Sequence, residues 1–121
     1  MTSQIEKIAR LMGFELAESL TNETPHFHPF GSLYVWRTDK PDLIMPQWFN
    51  PHTIKSDLMD VECALTIDVH WINNEFVHAD SWVGEDLIGS NAMYADHPDK
   101  FTARSAAVCA VAEQIYDKGK V

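Results

Sequence analysis

Histidine and aspartate alternate in two neighbouring segments, and these residues carry the clearest potential for chemistry. His78 and Asp80 lie two positions apart, as do Asp68 and His70. In an extended strand, residues two positions apart point to the same side. An imidazole beside a carboxylate can serve as a general base or as a polar anchor in a binding pocket. For His78 and Asp80 the alternatives are a position past the sheet edge or a buried hydrogen-bonded pair. For Asp68 and His70 the alternative is a half-exposed sheet face.

Other reactive residue types lack the partners that catalysis or metal binding requires. His26 and His28 could present two imidazoles, but no third or fourth metal ligand stands near them in the sequence. Cys63 and Cys109 lie in apolar surroundings typical of reduced core thiols. Residues 84–90 contain two glycines without the spacing of a phosphate loop, and we expect a simple loop there. We therefore predict a non-enzymatic binding protein with no metal and no cofactor.

Aromatic and arginine side chains supply a candidate ligand site. Tryptophans could stack on a planar base, and an arginine could clamp a phosphate with two hydrogen bonds. The alternative for the arginines is an isolated surface position. The predicted ligand-binding residues are Trp36, Arg37, Trp71, His78, Asp80, Trp82 and Arg104.

Charge and hydropathy restrict the partners. Eighteen acidic and nine basic residues give a formal net charge of -9, which opposes direct binding to nucleic acids and anionic membranes. Acidic residues recur between Asp57 and Asp86, and a continuous acidic face would fit a basic groove on a partner protein. The alternative is a solvated surface that maintains solubility. The chain has no apolar run long enough to span a membrane and no signal-peptide pattern, so we expect a cytoplasmic protein.

Hydrophobic periodicity predicts three helices. Ser3 and Glu6 form a capping box for the first, Pro51 opens the second, and Pro98 opens an alanine-rich third that Gly119 ends. The predicted helices span about residues 3–12, 51–62 and 98–119.

Strict alternation of residue types predicts a β-hairpin over residues 65–71 and 75–83. A two-residue turn at Asn73 and Asn74 would place Trp71 on the same, mostly buried face as His78 and Asp80. Residues 33–37 add a strand, residues 21–31 are expected to form a loop, and residues 87–96 a polar connector. We predict one α+β domain over residues 1–121, in which helices cover a small antiparallel sheet.

Several local motifs accompany this order of elements. They are residues 8–14 at the end of the first helix, Trp36, the stretch Ser-Asp-Leu-Met-Asp-Val at 56–61, and the alanine-rich residues 102–112 with a central cysteine. With them, nearly the whole chain resembles the phage ABA sandwich domain family. The resemblance implies a three-layer α/β/α sandwich, a bacteriophage or prophage origin and a place in the host-cell cytoplasm. It implies no catalytic residues.

Two functional hypotheses follow. The first is a binding protein that counteracts host defence by sequestering a small nucleotide-like ligand. The second is an acidic, DNA-mimic-like protein inhibitor of a host nuclease or CRISPR effector. Only the first predicts that a small ligand stabilises the isolated protein.

The segment between Pro46 and Pro51 contains two large apolar side chains, Trp48 and Phe49. A domain of this size does not always bury such residues, so we predict a homodimer that uses them as its interface. The alternative is a hydrophobic lid that packs on the sheet.

Overall fold

The computed structural model describes residues 3–17, 32–42 and 45–119. The predicted loop at 21–31, with His26 and His28, lies outside these residues. In chain order the elements are α1 (Gln4–Leu11), β1 (Glu15–Leu16), β2 (Leu33–Trp36), β3 (Gln47–Phe49), α2 (Lys55–Ala64), β4 (Asp68–Ile72), β5 (Phe76–Val83), β6 (Asp86–Met93), a short 3-10 helix (Tyr94–Asp96) and α3 (Lys100–Gly119).

The strands form two antiparallel sheets, one of β1, β2 and β3 and the other of β4, β5 and β6. The α+β class is confirmed. The prediction of one sheet containing both the 33–37 strand and the hairpin is wrong, because β2 pairs with β1 and β3 instead. The helices are thus shared between two sheets rather than covering one.

Helix α3 forms the centre of the core. It packs on β5 and β6 of the second sheet and also contacts α1 and α2. Ala103 and Ala107 of α3 are buried, as are Val77 and Ala79 of β5. Small side chains on both elements let the helix approach the sheet closely. Asp99 caps α3 by accepting a 2.7 Å hydrogen bond from the backbone N–H of Thr102, so the helix begins at Lys100, slightly later than predicted.

Strand β6 replaces most of the predicted polar connector. Val83 pairs with Asp86 across a tight turn in which Gly84 has a φ of +63°. The prediction of a plain loop over residues 84–90 is therefore wrong. The strand is rich in Gly, Ser, Asn and Ala, which have weak strand preference, and this composition conceals it in the sequence.

Asn50 delays the start of α2. Its side-chain oxygen accepts a hydrogen bond from the backbone N–H of His52 at 2.9 Å, and its carbonyl accepts one from Ile54 at 2.8 Å. These bonds close a turn after Pro51, so the helix begins at Lys55 rather than at the proline.

The segment between the two prolines forms the unpredicted strand β3, which pairs with β2. Phe49 is completely buried and packs edge-on against Phe14, with ring centroids 5.3 Å apart. The prediction that Phe49 lies at a self-association surface is wrong, because its side chain is part of the core. Trp48 is half-buried against Tyr34, at a centroid distance of 4.7 Å, and its role in a dimer stays a prediction.

Both cysteines are free. Cys109 is buried as expected, but Cys63 is exposed because its position on α2 faces away from the core. Within the described ranges, no helix is long and apolar enough to cross a membrane.

Candidate functional site

The register of the β4–β5 hairpin decides which side chains share a face. Asn73 and Asn74 have φ values of 49° and 61°, as a type I′ turn requires. However, Ile72 pairs with Phe76, which leaves Glu75 as an extra residue beside the turn. The extra residue shifts the pairing by one position, and such a shift moves the side chains of one strand to the other face.

The observed register joins the two histidine–aspartate steps into one cluster. Asp68 lies opposite Asp80, and His70 lies opposite His78. Trp71 instead lies opposite the buried Val77, on the face toward α3. The prediction that Trp71 shares a face with His78 and Asp80 is therefore wrong.

The two imidazoles converge on a single carboxylate oxygen. Nε2 of His78 lies 3.1 Å from Oδ2 of Asp80, and Nε2 of His70 lies 3.4 Å from the same oxygen. The two rings stack with their centroids 5.9 Å apart. Nδ1 of His78 is hydrogen-bonded to Oδ1 of Asn91 on β6. We call Asp68, His70, His78, Asp80 and Asn91 the histidine–aspartate cluster.

Gly89 makes room for the His78 ring. It lies opposite Asp80 on β6, and a Cβ atom placed on it would approach Cε1 of His78 to 2.8 Å. Any other residue would push the ring away from its observed position. Gly89 is thus part of the geometry that holds His78 beside Asp80.

Exposed apolar side chains flank the cluster on the same face of the sheet. On one side Trp82 lies opposite Leu87, and their exposed fractions are 66% and 53%. On the other side Phe76 lies between Ile72 and Met93. We call this outward face of the second sheet, cluster and apolar residues together, the open face. Such a combination of a polar centre and aromatic or aliphatic neighbours is typical of binding surfaces.

The predicted ligand-binding tryptophans are not brought together. Trp36 is exposed at the end of β2 in the first sheet. Trp71 stacks on Tyr94 at a centroid distance of 6.0 Å, on the α3 side of the second sheet. Of the three, Trp82 is the one on the same face as His78 and Asp80.

The guanidinium of Arg37 is buried among carboxylates of its own chain. Nη1 lies 2.7 Å from Asp57, Nη2 lies 2.7 Å from Asp60, and Nε and Nη2 both donate to Asp39. Its central carbon lies 4.6 Å from the ring centroid of Phe14. Burial alone would lower the pKa of Arg37, but these hydrogen bonds outweigh burial and raise it. The prediction that Arg37 clamps an external phosphate is wrong, because its guanidinium is buried and paired with three carboxylates of the chain.

Arg104 is also paired, although it is less buried. Nε donates to one oxygen of Glu62 at 2.7 Å and Nη2 donates to the other, and the hydrogen bonds raise the pKa of Arg104. The arginine lines a cavity of about 110 Å³ with Lys55, Met59 and Phe101. Small-molecule sites usually measure about 300–1,000 Å³, so this cavity is too small for a nucleotide.

A fully buried serine contacts a partly buried histidine. Oγ of the fully buried Ser105 donates to the carbonyl of Pro51 at 2.9 Å and lies 3.1 Å from Nδ1 of His52. Nε2 of His52 lies 2.8 Å from Oε1 of Gln4. Burial lowers the pKa of His52 and raises that of the adjacent Cys109 to about 12. These groups connect α1, the turn before α2 and α3 rather than offering a nucleophile.

The acidic surface predicted from α2 to the hairpin is interrupted. Several of its carboxylates pair with cations of the same chain: Asp57 and Asp60 with Arg37, Glu62 with Arg104, and Asp86 with Lys118. Asp68 and Asp80 have no lysine or arginine partner in the described part of the chain. No group of three or more His, Cys, Asp and Glu residues in that part could hold a metal ion.

Sequence reasoning missed the β6 contribution to this face, namely Leu87, Gly89, Asn91 and Met93. The signal that could have revealed it is the turn sequence Val-Gly-Glu-Asp at 83–86, which directly follows a strongly predicted strand. It also missed the cluster, because the face assignment depended on the register of the turn.

No family model matches the chain, and no match was found among curated proteins or solved structures. The fold defines a small α+β protein with two antiparallel sheets. The resemblance to the phage ABA sandwich family stays a prediction.

Proposed function

We propose that this protein is a non-enzymatic binding protein that contacts a protein partner through the open face. The observation that carries the proposal is the exposure of Trp82 and Leu87 beside the histidine–aspartate cluster. Exposed aromatic and aliphatic residues grouped on one face are the usual anchors of protein interfaces. A flat strand surface with a polar centre suits a protein partner better than an enclosed small molecule.

The nucleotide-like ligand predicted from the sequence has less support. A base could stack on Trp82, but Arg37 and Arg104 both pair with carboxylates of the chain. The cavities lined by Arg104 and by Arg10 measure about 110 and 200 Å³, both below the size of typical ligand sites. The protein-inhibitor hypothesis therefore has more support than the nucleotide-ligand hypothesis.

The character of the partner follows from charge and from the resemblance. A formal net charge of -9 favours association with a basic surface and opposes binding to nucleic acid. Because the sequence resembles the phage ABA sandwich domain family, we propose that the partner is a host defence protein, such as a nuclease or a CRISPR effector. The protein would then counteract host defence in the cytoplasm of the host cell.

Site-specific photo-crosslinking in cells that carry the gene tests the location of the surface. A benzophenone amino acid replaces Leu87 on the open face or, as the control, Met59 on α2, which is 59% exposed. We expect a discrete crosslinked protein from position 87 and not from position 59. Equal crosslinking from both positions, or from position 59 alone, contradicts the proposal.

The small-ligand hypothesis makes a different prediction. If the protein sequesters a nucleotide, cyclic and linear nucleotides should raise the melting temperature of the isolated chain. The Trp82→Ala variant should lose that stabilisation. A protein inhibitor should show no such shift.

A further inference from the structure

We propose that the open face binds an arginine or lysine side chain of its partner at the carboxylates of Asp68 and Asp80. We further propose that the two histidines beside them close this site when they become protonated. The inference rests on the proposed function and adds the chemistry of the partner and its dependence on pH.

The charge of the open face is complementary to a basic side chain. Asp68 and Asp80 lie directly opposite each other on neighbouring strands, where like charges repel. Asp57 and Glu62, in contrast, are paired with arginines of the chain itself. Within the described residues, the Asp68 and Asp80 pair has no such cation. A cation from outside would relieve the repulsion, so the open face is complementary to a basic partner.

The neighbours of Asp80 suit a basic side chain better than a small free cation. Trp82 lies two residues further along β5 on the same face, and Leu87 lies opposite it. An exposed indole attracts a guanidinium or ammonium group, and apolar side chains cover the aliphatic stem that carries it. Arginine and lysine have both a charged end and such a stem.

The position of the proton on His78 affects the availability of the Asp80 carboxylate. With Oδ1 of Asn91 as the acceptor, Nδ1 of His78 donates the proton in the tautomer that forms this hydrogen bond. In that neutral tautomer the Nε2 atom of His78 has a lone pair, which faces Oδ2 of Asp80 at 3.1 Å. Two acceptors do not form a hydrogen bond, so in this tautomer His78 leaves the carboxylate of Asp80 to an external donor.

Protonation reverses this situation. With a second proton, Nε2 of His78 donates to Asp80, and Nε2 of His70 lies near the same oxygen. The imidazolium groups then occupy the carboxylate and add positive charge, which repels a basic partner. Histidine changes its charge between about pH 5 and 8, so affinity should fall as the pH falls through this range.

The titratable groups that face one another on the open face are Asp68 and His70 from β4, and His78 and Asp80 from β5. The residues that β6 presents on this face do not titrate. They are Leu87, Gly89, Asn91 and Met93.

A hexa-arginine peptide is a suitable probe, titrated into the isotopically labelled full-length chain at low ionic strength. At about pH 7.5 we expect amide shifts concentrated at residues 68–70, 78–82 and 87–91. Asp80→Asn should weaken binding about tenfold, as expected for the loss of a charge-assisted hydrogen bond. The control Asp96→Asn changes the net charge equally at an exposed residue of the 3-10 helix and should have little effect.

The pH dependence is tested with the same probe. At about pH 5.5 the affinity of the wild-type protein should be several-fold lower, and a His70→Gln/His78→Gln double variant should lose most of this difference. If Asp80→Asn and Asp96→Asn weaken peptide binding equally, the proposal that Asp68 and Asp80 form the binding site is overturned. An unchanged pH dependence in the double variant, or binding that a metal chelator abolishes, would overturn the histidine mechanism.

Failure here is separable from failure of the proposed function. If crosslinks still form at position 87 but the peptide shows no preference for the Asp68 and Asp80 pair, the open face is an interface and the chemistry assigned to it is wrong. If position 87 gives no crosslink, the proposed function itself fails.

Discussion

Replacing Arg37 with methionine should destabilise the fold strongly, because it removes one partner of a buried ion pair. Asp57 is 3% exposed and would keep only the 3.0 Å hydrogen bond from the backbone N–H of Asn50. Asp39 and Asp60 each have side chains about one third exposed and can turn to water. The loss of stability in the variant should therefore come mainly from the unpaired, buried charge of Asp57.

The size of the effect follows from this difference in burial. Removing one partner of a buried ion pair costs about 3–5 kcal/mol in the free energy of unfolding. In a domain of this size each kcal/mol corresponds to about 4 °C, so the melting temperature should fall by about 12–20 °C. Loss of the cation–π contact with Phe14 contributes about 1 kcal/mol, which is less than the effect of the unpaired charge.

Urea and thermal denaturation followed by circular dichroism measure this change. Arg10→Met is the matched control, because Arg10 forms an exposed pair with Glu6 and its loss should cost less than about 0.5 kcal/mol. Adding Asp57→Asn to Arg37→Met should recover part of the stability by removing the unpaired charge. An Arg37→Met variant as stable as the control would refute the reasoning and restore Arg37 as a candidate ligand contact.

Four further predictions concern other parts of the chain. Burial lowers the pKa of His52 below its ordinary value of 6.5, so the unfolded chain binds more protons at this residue than the folded chain does. The free energy of unfolding should therefore fall as the pH drops below 6.5. In a denaturation series at different pH values, His52→Gln should reduce this fall. A thiol reagent should label the exposed Cys63 in the native protein and reach Cys109 only after unfolding, since burial raises the pKa of Cys109 to about 12. Asn74→Gly should stabilise the protein by about 0.5–1 kcal/mol in urea denaturation, because Asn74 has a φ of 61° that glycine adopts without a Cβ penalty. Sedimentation should detect a homodimer of the 13.8 kDa chain that Trp48→Ala dissociates without unfolding; a monomeric wild-type protein would contradict this.

Elements with strong local signals could be predicted from the sequence. Helix α1 begins immediately after Ser3, whose side chain accepts a 3.2 Å hydrogen bond from the backbone N–H of Glu6 as the capping box predicts. Strands β2, β4 and β5 follow the alternation of residue types, and α3 follows the apolar pattern of its alanine-rich sequence. In each case the signal comes from residues within a few positions of one another.

Features that depend on distant residues could not be predicted. The extra residue Glu75 changes the faces of the hairpin, and nothing in the turn sequence distinguishes this register from the two-residue alternative. The residue type of Arg37 favours a ligand contact, but its partners Asp57 and Asp60 on α2 meet it only in the folded chain. A residue chosen as a ligand contact by its type can therefore be wrong when the folded chain supplies an internal ion-pair partner.

The most direct test of the open face is the affinity of the protein for the partner captured from position 87. Isothermal titration of that purified partner should show that Trp82→Ala weakens binding by more than about tenfold, as loss of an interface hot spot does. Met59→Ala, which removes a similarly exposed apolar side chain from α2, should leave the affinity unchanged. Equal affinities for wild type and Trp82→Ala, or a larger loss for Met59→Ala, would contradict the assignment of the open face as the binding surface.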